Sequence, residues 1–312
     1  MMNAAASAPA MQHGVAAAEP VWLRLAPAIF LLLWSGGFIV GKIGVRYAEP
    51  FTLLTLRYAL VLAILLPVFA ILRPPLPRRR MDWVHLLAVG ILIQGGYFCF
   101  CYAALRAGAS AGTVALVSSM QPIFVALLAP SLTGEGRVTL PRWAGLALGL
   151  LGAALVIAAK SAVEFTSVAS IALAIGSLAC MTAGTLWEKR FGVSNHPVTA
   201  NLIQYSAGLL VTTPLALSFE TMSVDWTGEL KIALAYLVVA NSLFAVSLLL
   251  AMLRRGEASR VSALFFLVPP TSAILAWCLL REDMPLLGWA GMALAAAGVA
   301  ISIRKASTSA SV

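Results

Sequence analysis

The 312-residue sequence predicts an all-α integral membrane protein, built as ten transmembrane helices in two inverted five-helix repeats. Three observations carry that prediction. Hydrophobic residues make up 61% of the chain and charged residues only 11%, at a mean hydropathy of +0.94; a soluble domain carries roughly 25% charged residues. The apolar residues fall in runs of about 17–25, each long enough to cross the hydrocarbon core. Finally, the second half repeats the first about 147 residues later. Lys42, Pro50, Thr52, Tyr58 and Pro67 return as Lys189, Pro197, Thr199, Tyr205 and Pro214. Gly108 and Pro122 return as Gly256 and Pro270, and Trp143-Ala144-Gly145 returns as Trp289-Ala290-Gly291. A unit of this length is too long for a solenoid. In a membrane chain it points to a carrier of two related halves with the substrate path between them.

Residues 1–21 are rich in Ala and lack the basic cluster, apolar core and cleavage site of a signal peptide, so they read as a flexible cytoplasmic tail. The first repeat, 22–160, holds expected spans at 22–41, 51–72, 83–105, 109–129 and 140–159. Glu49-Pro50, Arg73-Pro74-Pro75 and Gly134-Glu135-Gly136 break the chain between them. The second repeat, 161–304, holds spans at 165–187, 197–219, 230–253, 258–280 and 285–303, with breakers at Asn195-His196-Pro197 and Glu282-Asp283-Met284-Pro285. A short C-terminal tail occupies 305–312. Helix is the economical form for every span, because lipid cannot satisfy exposed backbone groups.

Orientation follows from the cations. With a cytoplasmic N-terminus, the inner side holds Arg24, Arg73, Arg78, Arg79, Arg80, Arg137, Arg142, Lys189, Arg190, Arg254, Arg255, Arg260, Arg304 and Lys305. The outer side holds only Lys42, Arg46, Arg106, Lys160, Lys231 and Arg281. That bias places both termini in the cytoplasm and the chain in the cell's inner membrane. Five spans per half is an odd number, so the two halves enter the membrane from opposite sides, the arrangement that supports alternating access. The net charge of +9 is therefore read as topology, and no nucleic acid is expected as a partner.

Several segments resemble the EamA family of the drug/metabolite transporter superfamily, over nearly the whole chain from about Leu25 to Arg304. They are Trp34-Ser35-Gly36-Gly37-Phe38 with Lys42, Leu56-Arg57-Tyr58, Tyr102-Ala103-Ala104-Leu105 and Gln121-Pro122-Ile123-Phe124 with Gly134-Glu135. The second copy has Leu186-Trp187-Glu188-Lys189-Arg190, Val268-Pro269-Pro270 and Leu280-Arg281-Glu282. Both copies close on Trp-Ala-Gly before a glycine-rich last span. The resemblance implies a ten-helix carrier, often an exporter of amino acids or related metabolites. It also implies a central cavity lined by helices 1–4 and 6–9, with helices 5 and 10 outside it.

The candidate substrate-binding residues begin with Arg57, an intramembrane cation about two turns into its span and a functional candidate by default. All twelve Asp and Glu fall in tails, loops or helix ends, so Arg57 has no evident buried partner. Its planar fork suits a substrate carboxylate; the plain alternative is that it snorkels to the outer interface or pairs with Glu49. Its counterpart in the second repeat is Gln204. Trp34, Ser35, Gln94, Tyr97, Tyr102, Ser118, Ser119, Gln121, Trp187, Tyr205, Asn241 and Phe244 complete an aromatic, neutral-polar lining, each of which could equally serve packing or interhelical bonds. Such a lining suits small zwitterionic or amphipathic metabolites better than phosphorylated sugars, which call for several cations. Pro122 and Pro270, the latter doubled by Pro269, sit at matching interior positions and are expected to break their helices, as static kinks or as a gate. Lys42 and Lys189 recur at helix ends, as interface anchors or as a charged vestibule. Gly145 and Gly152 match Gly291 and Gly298, allowing close approach within the chain or in a homodimer.

No catalytic set, P-loop or zinc motif is present, and His13, His85 and His196 lie in the tail and at helix starts, so no enzyme activity or cofactor is expected. The four cysteines all lie in apolar runs, with no metal site or disulfide framework expected. The competing readings are a carrier for nucleotide or lipid-linked sugars, and a non-transporting receptor or scaffold. A scaffold gains nothing evident from two opposed halves.

Overall fold

A computed structural model describes residues 21–159, 167–192, 195–256, 258–280 and 285–303. Most of both expected tails, the connection carrying Lys160 and the Glu282-Asp283-Met284 breaker lie outside the described residues. Among those described, ten helices are long and apolar enough to cross a membrane. They are α1 (Leu25–Tyr47), α2 (Pro50–Leu72), α3 (Arg80–Arg106), α4 (Ala111–Leu132), α5 (Leu140–Ala159), α6 (Val168–Phe191), α7 (Pro197–Phe219), α8 (Gly228–Arg255), α9 (Ala258–Leu275) and α10 (Leu286–Ile303). Exposed apolar side chains such as Leu66, Ile71, Leu210 and Ile232 cover the outside. That is the surface a bilayer requires and water penalises.

The helix contacts come in matched pairs. α1 packs on α8 as α6 packs on α3, and α2 packs on α8 as α7 packs on α3. α2 and α7 meet each other, and α5 and α10 form a pair of their own that touches α9. The α5–α10 contact explains the glycines. A Cβ added at Gly298 would stand 2.6 Å from the Gly145 carbonyl, and one at Gly291 would stand 2.9 Å from that of Gly152. These glycine faces meet each other within the chain, so they give no argument for a homodimer.

Two features of the helices matter for the site. α4 loses its α-helical form at Ser119 and Met120 and resumes at Gln121, so Pro122 lies in the first turn of the resumed helix. α9 passes through a 3-10 turn, Ala263–Leu267, and resumes at Val268, so Pro269 and Pro270 again stand in a first turn. A proline fits such a first turn, where an N–H lacks an intrahelical acceptor as long as the break before it persists. The second feature has no counterpart in the sequence reading. Gly90–Tyr97 of α3 and Leu237–Val246 of α8 are π-helical, starting 147 residues apart. A π-segment widens the turn and loosens the ladder of backbone bonds, and such segments are frequent at functional sites.

Candidate substrate site

The two π-segments are each braced by a tyrosine from the neighbouring helix. Tyr58 of α2 donates to the Gln94 carbonyl at 2.6 Å, and Tyr205 of α7 donates to the Ser242 carbonyl at 2.8 Å. These are equivalent bonds in the two halves, and the tyrosine rings lie 5.5 Å apart. The widened turn presents a carbonyl sideways, and the phenol satisfies it in a dry interior.

Arg57 sits at the centre of this arrangement, fully buried. Its Nε donates to Ser242 Oγ at 2.7 Å, Nη1 to the Tyr102 hydroxyl at 3.1 Å and Nη2 to Asn241 Oδ1 at 2.7 Å. Its guanidinium carbon lies 4.3 Å from the Phe98 ring centre, a cation–π contact. All three hydrogen-bond partners are neutral. The snorkelling alternative and the Glu49 pairing are both overturned. The side chain runs inward, and Glu49 instead accepts from Thr221 N at 2.8 Å and Thr221 Oγ1 at 2.9 Å.

Three further carboxylates are occupied at helix ends. Glu220 accepts from Phe51 N, Thr52 N and Thr52 Oγ1, capping the start of α2. Glu135 accepts from Ala258 N and Ser259 Oγ at the start of α9. Glu188, buried in the last turn of α6, pairs with Arg254. Lys42 and Lys189 are likewise tied to backbone. Lys42 Nζ donates to Leu105 O at 2.7 Å and Ala109 O at 2.9 Å, and Lys189 Nζ donates to Gly256 O. Each acceptor, Ala109 or Gly256, stands 67 residues beyond its lysine, so each lysine closes off carbonyls where one span turns into the next.

Of the expected lining residues, the fold gathers Trp34, Gln94, Tyr97, Tyr102, Tyr205 and Asn241 around Arg57 or its partners. Trp34 stacks on Tyr97 with ring centres 5.9 Å apart, and Trp34, Tyr97, Tyr102 and Asn241 line a cavity of about 10 Å³. That is about one water's worth of room, too little for a metabolite. Ser35 is buried between α1 and α9, its carbonyl accepting from Ser272. Ser119 bonds to Leu116 O within α4, and Gln121 Nε2 donates to Thr185 at the α4–α6 contact. Trp187 lies instead with His85 and Phe191, on an almost wholly apolar groove of about 570 Å³ between α4 and α6. Phe244 is 56% exposed and turned to the outside, whereas Asn241 and Ser242 of the same π-segment are buried. The sequence reading missed Ser242 and Phe98. Tyr58 was visible only as the counterpart of Tyr205.

A family model described as "EamA-like transporter family" matches residues 5–158 and 168–304. A protein of Salmonella typhimurium named "Probable amino-acid metabolite efflux pump" is 27% identical, covering 88% of this chain and 92% of that protein. Its namesake in Escherichia coli is 25% identical over 88% of this chain and 92% of its own. A solved crystal structure of 21% sequence identity superposes with a TM-score of 0.74, covering 90% of this chain and 96% of that one, which supports the fold. The two family matches fall one on each half, over the same segments whose residues recur about 147 positions apart. The chain belongs to the EamA-like transporter family.

Proposed function

We propose that this protein exports small zwitterionic metabolites, amino acids or close relatives, across the cytoplasmic membrane by alternating access, acting as a carrier and not as an enzyme. The observation that carries this reading is Arg57: a fully buried cation in a membrane span whose hydrogen-bond partners are all neutral. Burying an unpaired charge is costly, and such residues mark substrate paths. A substrate carboxylate supplies the missing negative charge and matches the guanidinium fork. Relatives named as amino-acid metabolite efflux pumps point the same way.

Trp34, Tyr97, Tyr102, Tyr205, Asn241 and Gln94 line the path, and the breaks before Pro122 and Pro269-Pro270 act as hinges. The two halves form an inverted repeat, with both termini in the cytoplasm. A sugar-phosphate carrier is disfavoured because Arg57 is the one cation at the gathered site among the described residues. The test is uptake of the twenty amino acids, singly, by purified protein in liposomes. Saturable uptake of one or more supports the reading; uptake of nucleotide sugars with no response to any amino acid overturns it. Cytoplasmic labelling of a single cysteine placed in the 74–79 loop tests the orientation.

A further inference from the structure

Gln94 and Gln204 are both fully buried, and all four of their side-chain polar atoms lack a hydrogen-bond partner among the described residues. The two residues share one contact between α3 and α7. A Cβ on Gly90 would meet the Gln204 Cα at 2.8 Å, and one on Gly208 would meet the Gln94 Cβ at 2.7 Å. The two residues are thus offset by about one helical turn, roughly 6 Å, along helices in close contact. The Gln94 carbonyl accepts from Tyr58, whose ring centre lies 5.8 Å from the Arg57 guanidinium carbon, so Gln94 stands close to the cation.

The positions are related by the repeat. Gln204 stands where Arg57 stands in the first half, and Gln94, whose carbonyl accepts from Tyr58, corresponds to Ser242, whose carbonyl accepts from Tyr205 and whose hydroxyl accepts from Arg57 Nε. The cation of the first half is thus hydrogen-bonded by neutral groups of both halves, and each half contributes one unsatisfied amide.

We propose that Gln94 and Gln204 form the subsite that receives the ammonium group of a zwitterionic substrate, beside the Arg57 anchor for its carboxylate. The inference rests on the carboxylate-anchor reading above. Two amide oxygens offer acceptors to an ammonium. Neutral acceptors fit the charge balance. Arg57 cancels the substrate carboxylate, and dipoles, not a second fixed charge, solvate the ammonium. The pair thereby sets specificity for α-amino acids over simple carboxylic acids.

The test measures binding to full-length protein in nanodiscs of the tightest-binding L-α-amino acid from the panel of twenty and of its des-amino acid. Wild type should favour the amino acid by about ten- to a hundredfold, the range for a hydrogen bond to a charged group. Gln94→Leu and Gln204→Leu should lose most of that preference while binding the des-amino acid within twofold of wild type. Arg57→Gln should weaken both ligands alike. Gln94→Met and Gln204→Met replace any Leu variant that does not insert, and Gln204→Glu should preserve the preference for the amine. An unchanged preference in folded Leu or Met variants, or equal loss of both ligands, overturns the ammonium subsite while leaving the Arg57 reading intact. Binding of no amino acid by wild type, or unweakened binding of both ligands by Arg57→Gln, overturns the carboxylate anchor and this inference with it.

Discussion

Arg57→Lys separates a carboxylate anchor from a structural cation. The guanidinium has five N–H donors, and three are committed to Ser242, Tyr102 and Asn241 on α8 and α3. One N–H on each terminal nitrogen lies outside those three bonds, the geometry a carboxylate engages with both oxygens. Lysine keeps the charge but offers one nitrogen, which cannot reach three partners on two helices and grip a ligand as a fork. Losing one charge-assisted bond to substrate costs about 1.5–3 kcal/mol, or about ten- to a hundredfold in affinity. Arg57→Gln, which copies the second repeat, should weaken binding further. Stability should respond differently, because Gln removes a buried charge that has only neutral partners, so the melting temperature should fall less for Gln than for Lys. Isothermal titration with the tightest-binding amino acid, with thermal melts in the same detergent, reads both quantities. Near-wild-type affinity for both variants at normal expression would refute the anchor and leave Arg57 as a structural bridge between helices.

Three further outcomes follow from the packing. Gly298→Val should impair insertion or lower thermal stability by about 1–3 kcal/mol or more, because its Cβ would meet the Gly145 carbonyl and Gly149 Cα; Gly228→Ala, with nothing within 4 Å of its Cβ, should be near neutral. Lys189→Met should cost about 1.5 kcal/mol in a detergent melt, by loss of its bond to Gly256 O, and Lys42→Met should cost more, since Lys42 closes two carbonyls. Pro122→Ala and Pro270→Ala restore an N–H that can extend helix back across the break, so initial transport rates in liposomes should fall with expression kept; unchanged rates in both would leave the prolines as ordinary kinks.

The sequence by itself determined the class, the ten spans and the family. Hydrophobic run length and chain breakers are local quantities, and the bilayer admits few solutions for an apolar run. The spans 140–159 and 197–219 recur unchanged as Leu140–Ala159 and Pro197–Phe219. The 147-residue recurrence likewise picked out Tyr58 with Tyr205 and Lys42 with Lys189, which the structure places in equivalent bonds. Arg57 was legible as a candidate because a charge inside an apolar run is conspicuous wherever its partners lie.

Only the tertiary structure decided what those residues touch. Arg57 could have turned to the interface or the interior. Its inward course depends on Ser242 and Asn241, 185 and 184 residues away in the chain, and no periodicity encodes that meeting. The π-segments were equally hidden. Gly90, Gly95 and Gly96 mark one of them, but Leu237–Val246 contains no glycine or proline. Its wide turn arises where helices pack and Tyr205 draws the Ser242 carbonyl aside. Phe244 and Asn241 look alike as candidates in sequence, three residues apart. One faces outward and the other binds Arg57: residues three apart share a face of a regular α-helix, and the widened turn of the π-segment parts them.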